Sequence, residues 1–179
     1  NDMTYGCNAN KNKTSEAILE SVPGEQRPIV DEVPFASARK WSALAFDESA
    51  RRGAYVLGAL ELLQPYLPAE SVTPESPMSQ VARAWSARGL RVLLFAYNPE
   101  VITLHDEKGQ PHLPTLTPLA LISLRDELRP QAKETITAFR ELGLELKVIS
   151  GDDPQTVAAL AKQVGFPEDI KLVSGPELS

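Results

Sequence analysis

Residue types suited to phosphate chemistry occur together at residues 147–156, KVISGDDPQT. An apolar run ends in the hydroxyl of Ser150, Gly151 follows, and two carboxylates precede Pro154, which opens a predicted helix. A hydroxyl can donate to phosphate, and a glycine lets phosphate approach the backbone closely. Because carboxylates repel a bare phosphate, Mg²⁺ or a lysine would have to accompany it. The alternative interpretation is an ordinary strand-to-helix turn with Asp153 as its N-cap.

The segments around this turn alternate between strand and helix patterns. Nearly continuous apolar runs at 116–124 and 144–150 predict buried strands. Residues 130–143 and 153–166 predict amphipathic helices with proline near their starts. This β-α-β-α order implies a parallel, Rossmann-like half-sheet, in which ligands bind at the carboxyl ends of the strands.

The preceding part of the chain has a different pattern of short apolar runs bounded by turn-forming residues. It predicts strands at 28–36, 40–47, 53–59 and 90–98, a hairpin partner at 101–106, and helices at 14–22, 59–67 and 77–89. We therefore predict an α/β (α+β) fold with two domains. An antiparallel-sheet domain with helices spans residues 1–114, and the partial parallel half-sheet spans 115–179.

Composition excludes several classes of function. The formal net charge of -6 argues against nucleic acid and anionic membrane surfaces as partners. The only cysteine, Cys7, excludes an internal disulfide, and no run approaches the ~20 apolar residues of a membrane span. For His105 and His112 we predict solvated positions in a connector, with a metal site as the alternative, and no metal site is predicted elsewhere.

A family resemblance is carried by residues 124–166, LRDELRPQAKETITAFRELGLELKVISGDDPQTVAALAKQVGF. This run resembles the phosphorylation domain of P-type cation-transporting ATPases, which has a haloacid dehalogenase-type fold. In that family an Asp-x-x-Arg-Pro-like element precedes a helix, and a strand ending in Thr-Gly-Asp follows. The matching residues are DELRP at 126–130 and SGD at 150–152, with serine in place of threonine.

Four earlier segments resemble, in order, elements of the nucleotide-binding domain of the same family. They are TSEAIL at 14–19, VPFASARKWSALAF at 33–46, YVLGALELL at 55–63 and GLRVLLFAY at 89–97. The resemblance covers nearly the whole chain and is closest to a bacterial branch assigned to calcium transport.

The resemblance implies an ATP site that involves Glu16, Phe35, Lys40 and Arg91. Phe35 would stack on adenine, Glu16 would accept from its amino group, and Arg91 would reach the phosphates, which Mg²⁺ accompanies. Lys40 and Arg39 are further cationic candidates. The alternatives are a core ring for Phe35, a first-turn acid for Glu16 and solvated positions for the three cations.

Two departures from the family pattern remove cations from that site. Leu57 replaces the lysine before Gly-Ala, and Ser37 replaces the arginine two residues after the stacking aromatic. We therefore expect weak nucleotide binding.

The resemblance also implies that Asp126, Ser150, Gly151 and Asp152 lie beside the transferred phosphoryl group. The Ser150 hydroxyl and the Gly151 amide would donate to it. Neither aspartate is the phosphorylated one, since the family's DKTGT and Gly-Asp-Gly-x-Asn-Asp motifs do not occur in this sequence. We expect the chain to correspond to the segment between those motifs and to be inactive alone.

The leading hypothesis is an ATP-binding part of a P-type ATPase on the cytoplasmic side of a membrane. Its partners would be ATP and the membrane and remaining phosphorylation-domain segments of the parent protein. One alternative is a free-standing phosphatase of the haloacid dehalogenase type, which requires an aspartate nucleophile at the end of an earlier strand. The other is a nucleotide sensor without chemistry.

Overall fold

The computed structural model describes residues 13–21, 27–125 and 128–173. Two compact units divide the chain, and each contains two separate segments. The first unit is Asn1–Ser76 with Leu93–Ile122, and the second is Pro77–Val92 with Ser123–Ser179. The division into domains at 1–114 and 115–179 is continuous in sequence and stays a prediction.

A five-stranded sheet is formed in the order β1-β2-β3-β4-β5. The strands are β1 Asp31–Val33, β2 Trp41–Phe46, β3 Gly53–Ala59, β4 Leu90–Asn98 and β5 Thr117–Arg125. The pairings from β1 to β4 are antiparallel, and β5 follows β4 in the sheet. The predicted α/β fold class with an antiparallel sheet is confirmed, since short alternating runs separated by turn formers pair with their sequence neighbours.

The described part of the chain also contains five α-helices: α1 Lys13–Ser21, α2 Leu60–Leu63, α3 Pro77–Ser86, α4 Ala132–Glu141 and α5 Pro154–Gln163. The helix predicted at 59–67 is shorter than expected. It ends at Leu63, and Gln64–Tyr66 continues as a 3₁₀ turn. Pro65 explains this, because its nitrogen cannot donate within an α-helix.

The core of the first unit lies on one face of the sheet. Alternate residues of the central strands are fully buried, among them Ala43, Val56 and Ala96 in register with one another. Leu104 and Leu116 of the connector after β4 are also fully buried. The connector is therefore part of the core. On the opposite face the ring of Tyr55 contacts the rings of Phe46, Phe95 and Tyr97.

The predicted hairpin partner at 101–106 is wrong, because only an isolated bridge, His105 to Pro111, forms there. Asp31 holds this segment instead: its carboxylate accepts from the Leu104 amide at 2.6 Å and lies 3.0 Å from His105 Nδ1. Burial raises the pKa of Asp31, but hydrogen bonds from Leu104, His105 and Glu32 outweigh it and leave the pKa below its usual value. His105 is thus anchored, contrary to the predicted solvated position, whereas His112 is exposed.

In the second unit the strand predicted at 144–150 does not form. Leu144, Val148 and Ile149 are exposed, and Ile149 is 98% accessible. A strand needs a neighbouring strand to satisfy its backbone groups. Within the described residues, β5 occurs beside β4, and 144–150 has no pairing partner.

Candidate functional site

The loop between β1 and β2, residues 34–40, presents Phe35 to solvent. The Phe35 side chain is 45% accessible, although buried residues flank the loop at Val33 and Trp41. A core position for this ring is therefore wrong. A half-exposed ring offers a face on which a planar base can stack.

Two other predicted nucleotide residues belong to the same unit. Lys40 ends the loop, is half-buried and has a left-handed backbone with φ of 53°. Glu16 is exposed in the first turn of α1. Leu57, the residue in the family's lysine position, lies on β3 between Ser42 and Phe95. The sheet at this point therefore offers an apolar side chain where the family has a cation.

Arg91, the fourth predicted nucleotide residue, belongs to the second unit. Its Nη2 lies 3.2 Å from Oδ2 of Asp152, and both side chains are partly exposed. The two residues are 61 positions apart, and no local signal in the sequence predicts their pairing. The structure thus joins a predicted nucleotide residue to a predicted phosphoryl-site residue.

The SGDD turn, residues 150–153, carries three of the predicted phosphoryl-site residues at the protein surface. Ser150, Gly151 and Asp152 are exposed, and the Asp152 amide donates to Ser150 Oγ at 3.1 Å. Asp153 is the N-cap of α5, since its Oδ1 accepts from the Thr156 amide at 2.9 Å. The predicted cap is confirmed. Asp126 lies outside the described residues.

An Asp153→Ala substitution is expected to lower the free energy of unfolding of the second unit by about 1 kcal/mol, because an amide of the first turn of α5 loses its acceptor. The buried Thr156 hydroxyl also lies 3.1 Å from the Asp153 carboxylate. The matched control is Asp152→Ala, expected to cost below about 1 kcal/mol, since Asp152 makes an exposed ion pair. Urea unfolding followed by α5 amide resonances measures both. A larger loss from Asp152→Ala would contradict the assignment of the cap.

An open groove of about 940 Å³ lies between α4, α5 and residues 146–150. Its walls are mainly apolar and include Ile136, Phe139 and Leu160, and Ser150 and Asp152 also line it. The predicted phosphoryl-site turn therefore adjoins a groove large enough for a small molecule.

Across the described ranges, no group of three or more His, Cys, Asp or Glu side chains is placed to hold a metal ion. No helix in the described part of the chain is long and apolar enough to cross a membrane.

Comparison with known proteins gives a family and several relatives. A family model for haloacid dehalogenase-like hydrolases matches residues 59–176. A probable cation-transporting ATPase, exp7, of Streptococcus pneumoniae is 36% identical over 160 residues, 88% of this chain and 18% of that protein. The calcium-transporting ATPase CtpE of Mycobacterium tuberculosis is 34% identical over 163 residues, 89% of this chain and 18% of that protein. Human calcium-transporting ATPase type 2C member 1 is 29% identical over 161 residues, 82% of this chain and 16% of that protein.

The chain thus spans less than a fifth of the length of these relatives. The resemblance to cation-transporting ATPases is confirmed over most of the chain. The family model covers more than half of the sequence. The chain belongs to the haloacid dehalogenase-like hydrolase family.

Proposed function

We propose that this chain is the ATP-binding part of a P-type ATPase that couples ATP hydrolysis to cation transport across a membrane. The exposed ring of Phe35, on a loop that also carries Lys40, is the observation that carries the proposal. The relatives named as cation-transporting or calcium-transporting ATPases support it. The chain would act on the cytoplasmic side of that membrane.

In this proposal the first unit binds the nucleotide. The adenine ring stacks on Phe35, and the carboxylate of Glu16 accepts from the exocyclic amine. Lys40 contacts the phosphates. Arg91, in the second unit, would exchange its pairing with Asp152 for a phosphate oxygen. Mg²⁺ enters as the ion that accompanies ATP.

The second unit carries the residues proposed to meet a phosphoryl group. The Ser150 hydroxyl and the Gly151 amide, on exposed residues, donate to the transferred group, and Asp152 shapes the loop around it. Asp126 is assigned the same role as Asp152 by the family resemblance alone. The acceptor is an aspartate in another part of the parent protein. Covalent phosphorylation of a carboxylate divides hydrolysis into two easier steps, between which the cation moves.

Titration of the chain with ATP tests the binding step. Because Leu57 and Ser37 stand where the family has cations, we expect a millimolar dissociation constant, about -4 kcal/mol. Saturable NMR shifts are expected at Glu16, Phe35 and Lys40. The exposed Lys108 is a suitable control for nonspecific binding. Shifts of equal size at Lys108 and Lys40 would contradict a specific site.

The isolated chain is expected neither to hydrolyse ATP nor to form an acyl-phosphate. The family's phosphorylated aspartate motif, DKTGT, does not occur in the sequence. Incubation with γ-labelled ATP followed by acid precipitation measures phosphorylation, and a generic phosphomonoester measures phosphatase activity. Acid-stable label on the chain would refute this expectation, and turnover of the phosphomonoester would favour the free-standing phosphatase.

A further inference from the structure

In the loop 34–40, which carries Phe35, an arginine side chain near the end hydrogen-bonds to the backbone at the start. Nη2 of Arg39 donates to the carbonyl oxygen of Pro34 at 2.9 Å, five positions earlier. The amides of Arg39 and Lys40 both donate to the Ala36 carbonyl, at 3.0 and 2.7 Å. The carbonyl immediately before Phe35 is therefore tied to the far end of the loop.

Arg39 also contacts a buried aromatic residue. Its guanidinium carbon lies 5.4 Å from the centroid of the Trp41 ring, a distance at which a cation is attracted to the ring. Trp41 is buried and begins β2. The guanidinium therefore contacts the Trp41 ring with its face and the Pro34 carbonyl oxygen with its edge. Its planar shape allows both contacts together.

The position of Trp41 is in turn fixed by β3. Trp41 pairs with Gly58, and a Cβ added to Gly58 would overlap the Cβ of Trp41 and lie 2.9 Å from the Lys40 carbonyl oxygen. The Ala59 amide donates to that same carbonyl at 3.0 Å. Only glycine permits this close approach of the loop's end to the central sheet.

We propose that Arg39 is a positioning residue for nucleotide binding: it bridges Pro34 and Trp41 and so holds Phe35 in the orientation that receives the base. The inference rests on the proposed function and assigns Arg39 no contact with nucleotide. Without the bridge, the loop would populate several conformations. Apparent affinity falls in proportion to the population of the competent one.

The central test is Arg39→Met, which keeps the length of the side chain but removes its charge and its donors. If about a tenth of the loop population stays competent, the affinity for ATP falls about tenfold. Because Arg39 acts through Phe35, adenosine should lose affinity by the same factor. Arg39→Lys, which retains a cation and a donor, should restore part of the loss. Arg51→Met, at an exposed position in the turn between β2 and β3, is the control and should change neither affinity.

A double-mutant cycle with Phe35→Ala separates positioning from direct contact. In the Phe35→Ala background, Arg39→Met should have no further effect on either ligand. A loss confined to ATP would instead make Arg39 a phosphate ligand and overturn the inference, as would unchanged affinity in Arg39→Met.

Hydrogen exchange at the Lys40 amide measures the bridge without any nucleotide. Exchange at least several-fold faster in Arg39→Met, with an unchanged melting temperature, supports a local brace. Equal exchange at the Lys40 amide in Arg39→Met and in the wild-type chain overturns the role of Arg39 and leaves the proposed function unaffected. A wild-type chain that binds neither ATP nor adenosine overturns the proposed function and, with it, the role of Arg39 in nucleotide binding.

Discussion

Replacing Leu63 with alanine is expected to lower the free energy of unfolding of the first unit by about 3–5 kcal/mol. Leu63 is the last residue of α2 and is 0% accessible. The smaller side chain loses buried apolar area and leaves a cavity, which the close-packed surroundings can only partly fill. Urea unfolding followed by the indole resonance of Trp41 measures the change.

The preceding residue provides a matched control. Leu62 lies in the same helix but is 39% accessible, so Leu62→Ala is expected to cost below about 1 kcal/mol. The two variants share the change in helix propensity and differ in burial. Equal losses from both substitutions would show that α2 does not bury the face assigned to it here.

Replacing Phe35 with alanine is expected to remove about 1–3 kcal/mol of nucleotide affinity, the range measured for base–aromatic stacking. The fold should remain nearly intact, because a ring that is 45% accessible loses little buried area when truncated. Chemical-shift titration with ATP measures the affinity, and thermal melting measures the stability.

An apolar residue of similar exposure outside the candidate site is the control for this prediction. Leu119 on β5 is 51% accessible, and Leu119→Ala should leave the ATP titration unchanged. A Phe35→Ala chain that melts far below wild type yet shows unchanged shifts with ATP would defeat the assignment of the nucleotide site to this loop.

Much of the local structure could be predicted from the sequence because its causes are local. The strands β2, β3 and β4 follow from short runs of β-branched and aromatic residues between turn formers. The start of α5 follows from Asp153 and Pro154, whose cap and ring act within one turn of the helix. The family resemblance also rests on the sequence alone, and it predicts a ligand-facing position for Phe35.

Contacts between residues far apart in the sequence could not be predicted from local sequence patterns. An apolar run can equally become a buried strand or an unpaired segment, and for 144–150 the outcome depended on whether a partner strand lay beside it. The pairing of Arg91 with Asp152 and the anchoring of His105 by Asp31 join residues 61 and 74 positions apart.

In the loop that carries Phe35, too, the residue types can be read from the sequence but the contacts between them cannot. Its residues FASARK, at 35–40, are visible in the sequence, which predicts a strand through Phe35, whereas β1 ends at Val33. The sequence does not show that Arg39 stacks on Trp41, or that Gly58 must be glycine because Trp41 packs against it. Which side chains meet is set by strand register and by steric exclusion between neighbouring strands, and these exist only once the sheet has formed.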